Sequence, residues 1–334
     1  MLRLVQVKHS VLGRRVGVIN GKTCRLLDRF RSAYVLVQWA LASGENLDAV
    51  VNGHLGDEVL DYDAIYNGQS DWCLLPAFDH PDEPARCLVS GTGLTHMASA
   101  KNRNAMHEKA ASMPMTDSMK MFQWGLDGGN PKPGQIGAQP EWFYKGSGTI
   151  LKAHGEAMDV PSFADDGGEE PELAGVYVND ENGQPCRVGF VVGNEFADHV
   201  MEKKNYLYLA PSKLRDAAIG PELIVGGKFE RVSGTVSIER KGKVVWSRAI
   251  QTGEKHMSHS LANLEHHHFK YAHHQRAGDV HIHFYGADAF SFGEGVSLKN
   301  GDMMVVEWTG FGRPLRNPIR IDRSKDRFVN VRSM

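Results

Sequence analysis

The sequence predicts an α+β chain: a small N-terminal mixed piece followed by a β-rich domain, closed or sandwiched. Three observations carry this. From residue 142 on, short apolar runs follow one another, punctuated by Gly, Asn and Pro: EWFYKG, LAGVYVND, RVGFVVGNEF, ELIVGG, TVSIERKGKVVWSRA, DVHIHFYG and MMVVEWTGFG. One helical stretch, about 256–272, interrupts them. No regular strand–helix alternation occurs, which argues against a doubly wound parallel sheet.

The elements follow in chain order. LRLVQV alternates as a strand, and Asn20-Gly21 between two apolar runs predicts a hairpin turn. Residues 31–42 and 57–66 suit helices, and the loop FDHPDEPAR closes this piece. The expected organisation is a small domain over 1–85, a main domain over 86–320 and a solvated tail over 321–334. Asp322 and Asp326 interrupt the basic residues of that tail. Residues 86–89 read as a strand that leads through a glycine turn into a helix. Met113, Met115, Met119 and Met121 suit helix packing or lid contacts. The Gly- and Pro-rich stretch 125–141 reads as a covering loop. It is no phosphate loop, since no strand feeds it and no G-K-[ST] follows.

Composition sets limits. The 334 residues are 41% hydrophobic with a formal charge of −2, which leaves no electrostatic footprint for nucleic acid. Four scattered cysteines, none in a C-x-x-C pair, fit a reducing cytoplasm better than a disulfide framework. No apolar run is long enough for a signal peptide or a membrane span.

The segment DDGGEEPELAGVYVND carries the chemistry. Glu170 and Glu172 sit at i and i+2 where a strand opens, so their carboxylates share a face. A divalent cation offsets their repulsion, and carboxylate oxygens suit a hard ion such as magnesium. A solvated acidic turn is the alternative for this segment alone. The next strand, RVGFVVGNEF, ends in Glu195, and a hairpin through Asn182-Gly183 brings it to the same place. Eighteen residues on, Lys213 lies between elements, where it would face the same pocket and stabilise an enolate oxygen. Sixteen histidines invite a zinc site. His281 and His283 have the i, i+2 spacing for one, but they read better as core residues, with His281 or His283 as a pocket-wall contact to substrate hydroxyls.

These residues resemble the fumarylacetoacetate hydrolase superfamily. E-E-P-E-L-A, V-G-N-E, S-K and G-P-E-L-I-V-G are similar to its core series. AGDVHIHFYGADAFSFGEGVSLKNGDMMVVEWTGFGRPLRNPI is similar to its C-terminal motifs, and GTGLTHMAS and PEWFYKGSGTIL to the upstream ones. The resemblance spans about residues 86–319. It implies a mixed β-roll or barrel, homodimers or larger homo-oligomers, a magnesium or manganese ion, and chemistry on a small 2-keto acid. It implies Glu170, Glu172 and Glu195 as metal ligands, and Lys213 as the pocket lysine. Lys145 would face a carboxylate or oxyanion, and His96 would start the lid helix.

The sequence also departs from the family series. The third acid is Glu195 where the family usually has Asp. Ala197, Asp198 and His199 replace the run that carries an arginine, and the loop with Asp288 and Ser291 lacks the threonine that holds a substrate carboxylate. These departures resemble the branch that dehydrates 2-keto-3-deoxy sugar acids. The expected reaction removes a C3 proton with His96 or Glu169 as base, stabilises the enolate with Lys213, and expels the C4 hydroxyl to give a semialdehyde. His199, Asp288 and Ser291 are then candidate substrate contacts. The alternatives are C–C hydrolysis of an acylpyruvate, decarboxylation or tautomerisation through the same enolate, and a non-catalytic sugar-acid-binding protein.

Overall fold

The computed structural model describes residues 1–98, 100, 101 and 116–334. The expected roles of Met113 and Met115, and most of the helix expected after the glycine turn, lie outside these residues. The strands are β1 (Leu2–His9), β2 (Gly13–Asn20), β3 (Thr23–Leu27), β4 (Leu55–Asp61), β5 (Trp72–Leu74), β6 (Cys87–Gly91), β7 (Phe143–Ser147), β8 (Leu151–Lys152), β9 (Met158–Val160), β10 (Pro171–Asn179), β11 (Pro185–Asn194), β12 (Ala217–Val225), β13 (Val232–Arg240), β14 (Lys243–Thr252), β15 (Val280–Phe284), β16 (Met303–Trp308) and β17 (Leu315–Ile321). Among the described residues they form two mixed sheets. The larger has the order β4-β3-β2-β1-β12-β11-β10-β15-β6-β7, with β5 beside β1 and β8 beside β12. The smaller has the order β14-β13-β16-β17-β9.

The central strands explain the near-continuous apolar runs. Every residue of β10 is buried. Ala174, Val176 and Val178 point into one core with Val191, Ile219 and the helix residues Leu36 and Val37. Leu173, with Phe190, Val192 and Ile224, joins a second core with Val236, Val306 and Trp308 of the smaller sheet. A strand covered on both faces has no solvent side, so polar alternation disappears.

The N-terminal piece is continuous with this architecture, because β1 pairs antiparallel with β12 at Leu2↔Val225 and Leu4↔Leu223. Its helix Ala33–Ser43 starts at Ser32, whose hydroxyl accepts from Val35 N at 3.2 Å, and it buries Ala33, Leu36, Val37 and Ala40. The tail beyond Ile321 has no regular structure and is exposed.

Four local expectations are corrected. Residues 57–66 are not one helix: β4 pairs with β3, and only Tyr62–Tyr66 is helical, capped by Asp61. The β2–β3 turn has Gly21 and Lys22 at its centre, since Asn20 pairs with Thr23; Gly21 takes φ 59° at the first central position. The helix expected over about 256–272 is Leu261–Phe269, because Ser260 caps it by accepting from Asn263 N. Helix Asp117–Gly128 runs into the stretch expected to be loop, and Met119 and Met121 pack on Leu94 and Phe122.

Candidate active site and metal centre

Strand pairing builds the acidic cluster. Pro171 pairs with Asn194 across β10 and β11, which sets Glu170 and Glu172 beside Glu195. The backbone locks this end: Glu195 N donates to Glu170 O at 2.9 Å, and Glu170 N to Asn194 Oδ1 at 3.2 Å. One oxygen from each of Glu170, Glu172 and Glu195 lies within 4.8 Å of the others, and all three residues are buried.

Two buried lysines face these acids. Lys213 Nζ donates to Glu170 Oε1 at 2.6 Å and to Glu195 Oε2 at 2.5 Å, and it sits 4.7 Å over the Phe143 ring. Lys145 Nζ lies 2.7 Å from Glu195 Oε1 and donates to the carbonyls of Phe196 at 2.5 Å and Lys213 at 3.0 Å. His199 Nε2 meets Glu170 Oε1 at 3.0 Å. Its ring stacks on Phe290 at 4.8 Å and on Phe292 at 5.1 Å, which fixes its orientation.

The electrostatics are uneven. Burial alone would raise the Glu170 pKa, but Lys213 and His199 outweigh it and hold the carboxyl well below the usual range. Glu172 is pushed well above that range, by burial first and then by the charges of Glu195 and Glu170. Its Oε2 accepts from Gly286 N at 2.6 Å. Glu195 rises to about 7, because burial outweighs both lysines. Lys213 is raised: burial would lower it, and Glu170 and Glu195 overcome that. Burial lowers Lys145 despite Glu195. Three converging buried carboxylates, one of them strongly disfavoured as an anion, fit a hard divalent cation that supplies the missing positive charge.

A narrow cleft, with room for about one water among the described residues, opens on this cluster. Among the described residues its polar side chains are Glu170, Glu172, His199 and Glu202, and its apolar ones include Leu94, Phe143, Ala287 and Phe290.

Several expected site residues do not line this cleft. Lys145 is turned to Glu195 behind it. Ser291 is engaged by Glu169, whose oxygens accept from its N at 2.6 Å and its Oγ at 2.9 Å. Asp288 accepts from Gln251 N at 3.0 Å, on the side of β14. His281 lies on the β15 face that meets helix Leu261–Phe269, and its Nδ1 is 3.0 Å from His268 Nε2. His96 contacts Thr95 Oγ1 at 2.9 Å and Thr252 Oγ1 at 3.2 Å. Burial, with a smaller push from His256, lowers its pKa to about 3, so it is neutral. The glycine-rich stretch is tied to helix Leu261–Phe269, where Gly137 N donates to Asn263 Oδ1 at 3.0 Å and Asn263 Nδ2 donates to Ala138 O at 2.9 Å.

Sequence reasoning missed Glu202, the Phe290–His199–Phe292 stack and the Gly286 N–H. Only Glu202 left a signal, at i+3 from His199 on one helical face.

No family model matches the chain. It is 31% identical over 121 residues to a probable 2-keto-3-deoxyxylonate dehydratase of Haloferax volcanii, across 35% of this chain and 40% of that protein. It is 30% identical over 121 residues to 2-dehydro-3-deoxy-D-arabinonate dehydratase of Saccharolobus solfataricus, across 35% and 39% respectively. The match thus spans well under half the length of these curated relatives. Among solved structures, 2-keto-3-deoxy-D-arabinonate dehydratase complexed with magnesium and 2,5-dioxopentanoate superposes over 96% of this chain and 100% of that one, with TM-score 0.69 and 20% identity. A 2-hydroxyhepta-2,4-diene-1,7-dioate isomerase from Mycobacterium marinum covers 97% and 100%, with TM-score 0.59 and 14% identity. The fold is therefore the fumarylacetoacetate hydrolase type that the motifs imply.

Proposed function

We propose that this protein dehydrates a 2-keto-3-deoxy sugar acid, a pentonate in the first instance, to a 2-keto acid semialdehyde, using magnesium held by Glu170, Glu172 and Glu195. The carrying observation is the buried carboxylate triad opening on a cleft, with Lys213 bridging two of its members. The relatives named as pentonate dehydratases support the choice of reaction.

A hard divalent ion held by Glu170, Glu172 and Glu195 would supply Lewis-acid polarisation of a 2-keto acid. The chain's own residues do the rest. Lys213 keeps its proton, bonded to Glu170 and Glu195, and from behind the cleft wall supplies positive charge to the end of the site where negative charge develops. His199, clamped between two phenylalanine rings, orients Glu170. Phe143, Leu94 and Phe290 exclude water from the reacting carbons. His96, bonded to Thr95 and Thr252, and Glu169, bonded to Ser291, lie off the cleft lining, so C3 exchange in His96→Gln and Glu169→Gln tests them as the expected base: a loss no larger than the loss of substrate binding removes them from that role. The proposal includes a cytoplasmic homo-oligomer. The free thiols of Cys24, Cys73, Cys87 and Cys186 support the reducing compartment.

The test is turnover of 2-keto-3-deoxypentonates of both C4 configurations with magnesium, reading semialdehyde. Product should disappear with EDTA and in Glu172→Gln. Pyruvate released from an acylpyruvate, with no semialdehyde, would replace dehydration by C–C hydrolysis.

A further inference from the structure

We infer that Glu169 is a positioning residue of the metal centre: through Ser291 it holds the loop that aligns His199 and Glu170, and so sets the affinity of the triad for its ion. This rests on the carboxylate metal site proposed above.

The segment around Glu169 is extended. Gly168 N donates to Ala197 O at 2.9 Å and Ala197 N to Gly168 O at 3.1 Å, and Pro171 pairs with Asn194. Successive side chains of an extended segment point to opposite faces, so Glu169 turns away from the face that Glu170 and Glu172 share. It is buried there, off the cleft lining.

Its partner is the backbone and the hydroxyl of one residue. Ser291 N donates to Glu169 Oε1 at 2.6 Å, and Ser291 Oγ to Glu169 Oε2 at 2.9 Å. A carboxylate offers two acceptor oxygens, which match these two donors. Ser291 is the middle of three residues whose outer two, Phe290 and Phe292, stack on His199 with ring centroids at 4.8 and 5.1 Å. His199 Nε2 in turn meets Glu170 Oε1 at 3.0 Å. The contacts therefore close a ring. It runs from Glu169 to Ser291, through the two phenylalanines to His199 and Glu170, and back along the chain to Glu169.

The rest of the loop is tied elsewhere. Gly286 N donates to Glu172 at 2.6 Å, Thr95 Oγ1 to Tyr285 O at 2.7 Å, Gln251 N to Asp288 Oδ2 at 3.0 Å and Val296 N to Ser291 O at 3.2 Å. Most of these ties hold the start of the loop, whereas Glu169 holds the part that carries both rings. Its loss should release the clamp on His199 first, and with it the orientation of Glu170. Groups that orient metal ligands in this way typically change affinity or activity about 10- to 100-fold when removed.

The experiment titrates wild type, Glu169→Leu, Glu169→Gln and Ser291→Ala with manganese(II) in the absence of substrate. Free ion is read by electron paramagnetic resonance, and each protein is also melted in EDTA. Glu169→Leu should bind manganese about 10- to 100-fold more weakly than wild type. Glu169→Gln should recover most of that loss, because its amide oxygen can accept from Ser291 N and its amide nitrogen can donate to Ser291 Oγ. Ser291→Ala keeps the N–H contact and should fall between wild type and the leucine variant. A leucine variant that melts lower but binds manganese as tightly as wild type would overturn the inference, leaving Glu169 a contact of the fold alone. A glutamine variant that binds manganese like wild type yet no longer exchanges the C3 protons of 2-oxobutanoate would also overturn it, by making Glu169 the base. If the leucine variant fails to fold, Ser291→Ala decides: wild-type affinity there overturns the inference. Wild type that binds no manganese would instead overturn the metal-site reading. Wild type that binds it without dehydrating a pentonate would overturn the reaction alone.

Discussion

Lys213 decides the charge balance of the centre. Its ammonium group lies between Glu170 and Glu195, where a cation is needed whether or not a metal is bound. Truncating one partner of a buried ion group costs about 3–5 kcal/mol, because the other charges stay buried without compensation. Lys213→Met should therefore lower the thermal midpoint markedly in EDTA. Magnesium should restore more stability to this variant than it adds to wild type, since the ion replaces part of the missing charge. On the proposed mechanism, turnover should stay about 100- to 1,000-fold down even in saturating magnesium, because Lys213 would no longer supply charge to the developing anion. Thermal melts with EDTA and with magnesium check the first part. An apo variant as stable as wild type would mean that the ammonium does not hold the triad.

At the scale of elements, the β10–β11 hairpin explains why part of the centre was legible. Strand period is local, so Glu170 and Glu172 announce a shared face, and Glu195 needs only one hairpin to join them. The cleft wall is different. Phe290 and Phe292 clamp His199 from nearly a hundred residues away, and Gly286 N reaches Glu172 from beyond β15. No period in the sequence reports such contacts. Residues 57–66 misled for a related reason: pairing of β4 with β3 outweighs the local helical pattern. Gly286 offers a test at this scale. It has φ 101°, and an added Cβ would lie 2.0 Å from Thr95 Oγ1. Gly286→Ala should destabilise the fold by roughly 1–3 kcal/mol, the usual cost of a strained backbone position. It should also weaken magnesium binding, because the N–H that holds Glu172 moves. Isothermal titration of the variant with magnesium checks this; unchanged affinity beside a lowered melting point would detach Gly286 from the centre.

Across the whole molecule, buried histidines set the response to acid. Burial is the largest cause that pushes His96, His281 and His283 down to about 3 and His154 and His259 down to about 4. An unfolded chain carries ordinary imidazoles near 6.5, so between these values it binds protons that the folded chain refuses. The stability that depends on these groups is present in full above about pH 6.5 and is lost as pH falls. Each histidine contributes at most about 1.4 kcal/mol per pH unit. Glu172 and Glu195 run the other way: burial raises both, so their contribution is full below the ordinary carboxyl value and is lost as pH rises through the folded one, about 7 for Glu195. Among the described residues nine histidines are lowered against seven carboxyls raised, so the urea midpoint in EDTA should fall from pH 6.5 to 4.5. Magnesium competes with the protons on Glu172 and Glu195, so it should stabilise most at pH 7.5 and very little at pH 4.5, making the decline steeper. Urea titrations at four pH values, with EDTA and with magnesium, read both slopes. A flat profile in EDTA would mean that the histidine core takes up protons without unfolding, and parallel profiles would mean that the ion binds away from the raised carboxyls.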